Sequence, residues 1–249
     1  MSATYSPAVF DHLTIRASDR RASERFYDIV LPALGLEKGD SDEHFAEWDD
    51  FSLVQASAES PVTKRLHIAF FAPSRDVIDA VWRVGTDAGY RDDGAPGLRP
   101  EYRDDYYGAF LLDPDGNSIE AVTHGGTKSA GAIDHIWIRV TDLAAAKSFY
   151  ETIAPHAGLR VSTETPERVQ VRGESGSFSL VRGEPTEHLH WAFPADRNET
   201  VDAFHRAATA AGYRDNGAPG ERAVYHQGYY GAFVLDPDGN NVEVVNHNR

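Results

Sequence analysis

The chain has 249 residues, with 24 Lys and Arg against 39 Asp and Glu, for a formal net charge of −15. At 41% hydrophobic it can bury a core, and its length suits two ordinary domains. The acidic balance disfavours nucleic-acid and anionic-membrane partners, which need a basic stripe, and the absence of cysteine excludes disulfides, thiolate metal sites and cysteine nucleophiles.

The first residues, Met1 to Pro7, lack the basic start and apolar run of a signal peptide, and no stretch approaches about 20 apolar residues, so a cytoplasmic protein is expected. Phe10–Arg16 alternates, with Leu13 and Ile15 on one face and His12 and Thr14 on the other, which predicts a strand. Ser18 or Asp19 then offers an N-cap to a helix carrying Phe26, Ile29 and Val30, which Pro32 and Gly35 close. Strands are expected near Phe45–Trp48 and Phe51–Gln55, while Asp40–Asp42 and Glu47–Asp50 read as solvated acidic loops. Leu66–Phe70 predicts a further strand and Val77–Ala88 a helix ended by Gly89. Gly94, Pro96 and Gly97 read as turn residues. Tyr106–Leu112 and Asn117–Val122 form a hairpin around Asp113-Pro114-Asp115-Gly116, where proline presets the turn and glycine supplies positive φ. The same order then recurs, with helices near Leu143–Ile153 and Val201–Ala211.

The recurrence is literal. Ala88–Gly97 returns as Ala211–Gly220 with one substitution, Tyr106–Phe110 as Tyr229–Phe233, Asp113–Asn117 as Asp236–Asn240, and Phe26-Tyr27 as Phe149-Tyr150. Every pair is offset by 123 positions, except that Phe51–Val54 and Phe178–Val181 are offset by 127. A period of that length marks a duplicated domain. The expected domains are 1–126 and 127–249, joined by the small-residue linker Gly125–Gly131. Each holds two βαβββ modules: 1–60 and 61–126, then 127–186 and 187–249. One helix covers one sheet face, so the α+β fold expected has its four modules paired into two curved mixed sheets with helices outside.

Three polar residues occupy strand positions where a plain core would be apolar: His12, His67 and Glu120. Their counterparts His135, His190 and Glu243 recur at the same offset of 123. Two imidazoles and one carboxylate on rigid strands are the donor set of a divalent metal site with open positions. A carboxylate buried there without a cation or a donor is costly. Ordinary packing is the competing reading for any one strand histidine taken alone. His124 and His247 are also in register, but each lies past a last strand and is expected to face solvent.

The combination of His12, Phe26-Tyr27, His67 in Leu-His-Ile-Ala-Phe, and Tyr-Gly-Ala-Phe-x-Leu-Asp-Pro-Asp-Gly-Asn-x-x-Glu120 resembles the vicinal oxygen chelate superfamily. That superfamily includes glyoxalase I, fosfomycin-resistance enzymes, type I extradiol dioxygenases and bleomycin-resistance proteins. The resemblance covers essentially the whole chain, once per half. It implies cup-shaped sheets, each holding one divalent metal (Fe, Mn, Ni or Zn) that accepts two adjacent oxygens of a small-molecule substrate. Pairing of modules within a domain would give the ligand sets His12/His67/Glu120 and His135/His190/Glu243. Crosswise pairing, as across the subunits of dimeric relatives, would give His12/His190/Glu243 and His135/His67/Glu120. A fused pair of domains mimics such a dimer, which favours the crosswise sets and allows a monomer or a homodimer.

The subfamilies can be compared residue by residue. Extradiol dioxygenases carry a tyrosine ten residues before the metal glutamate, where this chain has Phe110 and Phe233; Tyr106 and Tyr229 are the candidates to take its place. The fourth ligand of glyoxalase I falls near Gln55 and Arg182, of which the first could coordinate and the second could not. Glu120, Glu243, Tyr106 and Tyr229 form the expected catalytic set. Thr14, Arg16, Trp137, Arg139, Phe110 and Phe233 form the expected substrate wall, and the exchange of Thr14 for Trp137 predicts pockets of unequal size. A glyoxalase-like lyase or isomerase is the leading expectation; an Fe(II) dioxygenase and a non-enzymatic drug-binding resistance protein are the alternatives.

Overall fold

The structure, a computed structural model, describes residues 9–125, 127, 128 and 130–249. The first eight residues, and Gly126 and Ser129 of the expected linker, lie outside the described residues.

The first module contains β1 (His12–Ala17), α1 (Arg20–Ala33), β2 (Phe45–Trp48) and β3 (Phe51–Gln55). The second contains β4 (His67–Phe71), α2 (Arg75–Asp87), β5 (Asp92–Leu98), β6 (Tyr107–Leu112) and β7 (Ser118–Thr123). The third contains β8 (Ile133–Val140), α3 (Leu143–Ile153), a short 3-10 turn, β9 (Arg160–Thr165), β10 (Arg168–Arg172) and β11 (Ser177–Arg182). The fourth contains β12 (His190–Pro194), α4 (Asn198–Ala210), β13 (Asp215–Glu221), β14 (Tyr230–Leu235) and β15 (Asn241–Asn246). The first module is one strand short of βαβββ, which leaves one sheet with seven strands and the other with eight. No helix among the described residues is long and apolar enough to cross a membrane.

The sheets do not follow the sequence halves. One runs β13-β14-β15-β12-β1-β3-β2 and joins the fourth module to the first; the other runs β5-β6-β7-β4-β8-β11-β10-β9 and joins the second to the third. The seams are antiparallel: β1 on β12 sets Thr14 opposite His190, and β4 on β8 sets His67 opposite Trp137. Each seam therefore brings two histidine-bearing strands together at the centre of its sheet.

Alternation decides which face each side chain takes. Along β1, Leu13, Ile15 and Ala17 are buried, whereas His12, Thr14 and Arg16 stay half-buried on the opposite, concave face. The helices cover the convex faces. Asp19 caps α1 by accepting from the Ala22 amide at 3.0 Å, and α1 buries Phe26, Tyr27, Val30 and Leu31. The repeated Phe-Tyr pair has a structural use across modules. Tyr27 donates to Asp113 in the β6–β7 turn at 3.1 Å, and Tyr150 donates to Asp236 in the β14–β15 turn at 3.4 Å.

Two readings of the sequence need correction. Gly94, Pro96 and Gly97 sit in β5, an edge strand of irregular register, not in a turn. Proline is tolerated at a sheet edge, and a Cβ on Gly94 would lie 2.8 Å from the Phe110 ring, so the small residue makes room for that side chain. Asp50 is not a solvated acid: it is 4% exposed and accepts from the Ala132 and Ile133 amides at 3.0 and 3.1 Å. The two amides at the head of β8 need an acceptor, and the carboxylate supplies it.

Candidate metal centres

Each cup gathers one donor set. In the cup of the first and fourth modules, His12 Nε2 lies 3.1 Å from His190 Nε2 and 3.6 Å from Glu243 Oε2, and His190 Nε2 lies 3.3 Å from the same oxygen. In the cup of the second and third modules, Glu120 Oε2 lies 3.0 Å from His67 Nε2 and 3.6 Å from His135 Nε2. Within each set the donor atoms lie within 4.8 Å of one another. The grouping follows from the seams: β1 meets β12 and β4 meets β8, so the first histidine of each repeat joins the second histidine and the glutamate of the other.

The carboxylates are placed by glycine and tyrosine. Glu120 and Glu243 are each 1% exposed. A Cβ on Gly108 or Gly231 would lie 2.5 Å from the corresponding Oε1, so the glycines of Tyr-Gly-Ala-Phe leave the carboxylates their space. Tyr106 donates to Glu120 Oε1 at 2.7 Å and Tyr229 to Glu243 Oε1 at 2.7 Å. Burial, and then the charge of the glutamate, push both phenols well above their ordinary range, so they remain donors. With Oε1 engaged, Oε2 is turned to the histidines, and Glu243 Oε2 is buried with no hydrogen-bond partner.

The histidines are oriented from behind. His12 Nδ1 meets Asp11 at 2.8 Å and His135 Nδ1 meets Asp134 at 2.8 Å. Ionised carboxylates only accept, so each Nδ1 carries the proton and each Nε2 presents its lone pair to the cup. Burial alone would raise the Asp11 and Asp134 carboxyls, but bonds from the histidines outweigh it and hold both well below the usual carboxylate range. His67 reaches the Ser118 hydroxyl at 3.3 Å; that hydroxyl donates to Asp93 at 2.7 Å, so it accepts from the imidazole. His190 Nδ1 lies 2.7 Å from the Asn241 side-chain amide.

Sequence reasoning missed Asp11 and Asp134, although Asp-His repeats in register at 11–12 and 134–135. It also misplaced His124 and His247. Both are half-buried rather than solvent-facing: His124 reaches Asp134 at 3.0 Å, and His247 reaches Asp11 and His226 at 2.8 Å each. Their attraction to a half-buried carboxylate outweighs their position beyond the last strand. Gln55 takes no part in a cup. Its oxygen accepts from the Arg20 amide at 3.0 Å and its nitrogen donates to the Ala17, Ser18 and Ala56 carbonyls, fastening the start of α1.

The remaining candidates divide between the cups. Phe110, Trp137 and Arg139 line a cavity of about 340 Å³ with His67, Glu120 and His135. Phe110 lies 5.9 Å from the His67 ring, and Phe233 lies 6.1 Å from His190. Thr14 bonds Ser52 at 2.7 Å. Arg16 and Arg139 each donate to a backbone carbonyl, of His188 at 2.7 Å and of Arg65 at 2.9 Å.

The sequence model of the Glyoxalase/Bleomycin resistance protein/Dioxygenase superfamily matches residues 9–121 and again 132–244. The chain belongs to this superfamily. Among solved structures it is similar to glyoxalase I from Zea mays, with a TM-score of 0.68 and 17% identity over 96% of this chain and 92% of that one. A mutant of the same enzyme gives a TM-score of 0.69 and 18% identity over the same shares. At this identity the likeness concerns the fold. No protein of curated function matches the sequence.

Proposed function

We propose that the chain is a metal-dependent enzyme of the glyoxalase type, a lyase or isomerase acting on a small molecule that presents two adjacent oxygens. The observation that carries this reading is the convergence of two imidazole Nε2 atoms and one buried carboxylate oxygen in each cup, with Glu243 Oε2 unpartnered. Imidazole nitrogens and a buried carboxylate oxygen gathered this closely are stabilised by positive charge between them. Two imidazoles and a carboxylate suit Fe, Mn, Ni or Zn, held by His12, His190 and Glu243 in one cup and by His67, His135 and Glu120 in the other. Such an ion, when bound, polarises the oxygens of the substrate.

The protein's own groups do the rest. Asp11 and Asp134 hold His12 and His135 in the tautomer that offers Nε2. Tyr106 and Tyr229 fix one carboxylate oxygen so that the other faces inward. Glu120 and Glu243 are the groups placed to take a proton from bound substrate, and Phe110 and Phe233 flank the histidines and limit water. A dioxygenase reading gains no support here, since Phe110 and Phe233 stand where the hydroxyl is needed and the hydroxyls of Tyr106 and Tyr229 are engaged by glutamate.

The test is metal analysis of the purified protein with turnover assays on hemithioacetal and α-hydroxycarbonyl substrates. Bound divalent metal and turnover that chelation abolishes and one metal restores are expected. A protein that binds no metal, or that keeps full turnover with His67→Ala and His190→Ala combined, would overturn the proposal.

A further inference from the structure

The two cups share their donors but not their walls. Pairing of β2 on β3 sets Glu47 opposite Ser52 and Phe45 opposite Val54; pairing of β10 on β11 sets Gln170 opposite Ser179 and Arg168 opposite Val181. Arg168 thus stands where the other cup has Phe45, just as Trp137 stands where the other has Thr14. The guanidinium of Arg168 lies over the Trp137 ring at 4.9 Å, and its Nε donates to Ser179 Oγ at 2.9 Å. Among the described residues no carboxylate forms an ion pair with it. Burial pulls its pKa down, and neighbouring Arg172 pulls the same way.

Arg168 is half-buried, and where the half-buried Arg16 spends its guanidinium on the His188 carbonyl, Arg168 bonds through Nε to Ser179. Arg168 lines a cavity of about 520 Å³ together with Arg160, Arg172 and Lys128. Glu101, Glu174 and Asp134 also line it, the last already engaged by His124 and His135. Tyr102, Tyr106, His135 and Trp137 border both this cavity and the one at the donor set, so the two spaces adjoin. Trp137 spans them, 6.0 Å from the His67 ring on one side and under Arg168 on the other.

We propose that Arg168 is an anion-recognition residue, and that the cup of His67, Glu120 and His135 takes an acidic small molecule. Its carboxylate or phosphate meets the free guanidinium edge of Arg168, and its adjacent oxygens reach the donor set. The second clause rests on the function proposed above; the first does not. Planar guanidinium binds either anion through paired N–H bonds, a stronger contact than a neutral group can offer.

The experiment measures calorimetric affinities of 3-phenylpropanoate, phenyl phosphate and the neutral 3-phenylpropanamide for chelator-treated full-length protein. At least one anion should bind about tenfold or more tighter than the amide, and the ratio of the two anions identifies which is preferred. Arg168→Met, which keeps the packing over Trp137, should remove that preference, whereas Phe45→Met in the other cup should leave it intact. Arg168→Lys, which keeps the charge but not the fork, should retain part of it and serves if the methionine variant does not fold. Equal binding of acid and amide, no binding of any probe, or a preference that survives in folded Arg168→Met would overturn the assignment. Because the protein is metal-free throughout, failure of the metal reading would appear separately, in the metal analysis.

Discussion

Asp134 holds His135 by Nδ1 at 2.8 Å while accepting from His124 at 3.0 Å, so one half-buried carboxylate fixes two rings. Asp11 does the same for His12 and His247 in the other cup. Removing the charge frees the tautomer of the inner histidine. Asp134→Asn and Asp11→Asn should each lower divalent-metal affinity by about ten- to a hundredfold at the altered cup. Competition with a metallochromic chelator reads this directly; unchanged affinity in both variants would show that the aspartates do not act on the donor set.

Tyr106 and Tyr229 each satisfy a carboxylate oxygen that water does not reach. Phenylalanine at either position leaves that oxygen without a donor, at a cost of about 1–3 kcal/mol. The melting temperature of Tyr106→Phe should therefore fall in the metal-free protein. Metal binding should restore part of the loss, because the cation draws the glutamate back into place. A variant as stable as the parent in both states would remove the tyrosines from the supporting role.

Much of this was legible in the sequence because duplication exposes itself at a constant offset. The helices and most strands follow from periodicity, and the six donors follow from polar residues at strand positions. The exceptions have physical reasons. Strand β5 was hidden because Gly94, Pro96 and Gly97 carry turn chemistry, yet an edge strand tolerates them. His124 and His247 were misread because their partners, Asp134 and Asp11, become neighbours only when β4 joins β7 to β8 and β12 joins β15 to β1 in one sheet. Arg168 was invisible, since its meaning depends on the register of β10 and on Trp137 three elements earlier.

The cross-module seams predict the behaviour of half the chain. Residues 1–126 alone would expose the edge of β1 that β12 covers and the edge of β4 that β8 covers. Open central edges are unstable unless another strand pairs with them. Since His12 and His135 occupy equivalent positions on β1 and β8, β1 of one copy can take the place of β8 on β4 of the next. The fragment should sediment as a homodimer, or fail to fold when held dilute. A folded monomer would contradict the seam as the determinant of the architecture.

Asp50 gives a pH dependence whose sign is fixed by burial. Desolvation, with the charge of Asp49, raises its carboxyl from 3.8 to about 6, against the opposing amide bonds of Ala132 and Ile133. The folded state therefore binds the proton more tightly than the unfolded chain does. The stabilisation is fully present below the unfolded value near 3.8 and is lost as pH rises through about 6. Asp50→Asn keeps an oxygen for the two amides and carries no charge at any pH. Between pH 5 and pH 7.5 its stability relative to the parent should rise, by an amount on the order of 1 kcal/mol. Urea denaturation midpoints at the two pH values measure the difference. A gap that narrows toward pH 7.5 would mean that the buried carboxylate is stabilised as an anion, with the Ala132 and Ile133 amides outweighing its desolvation.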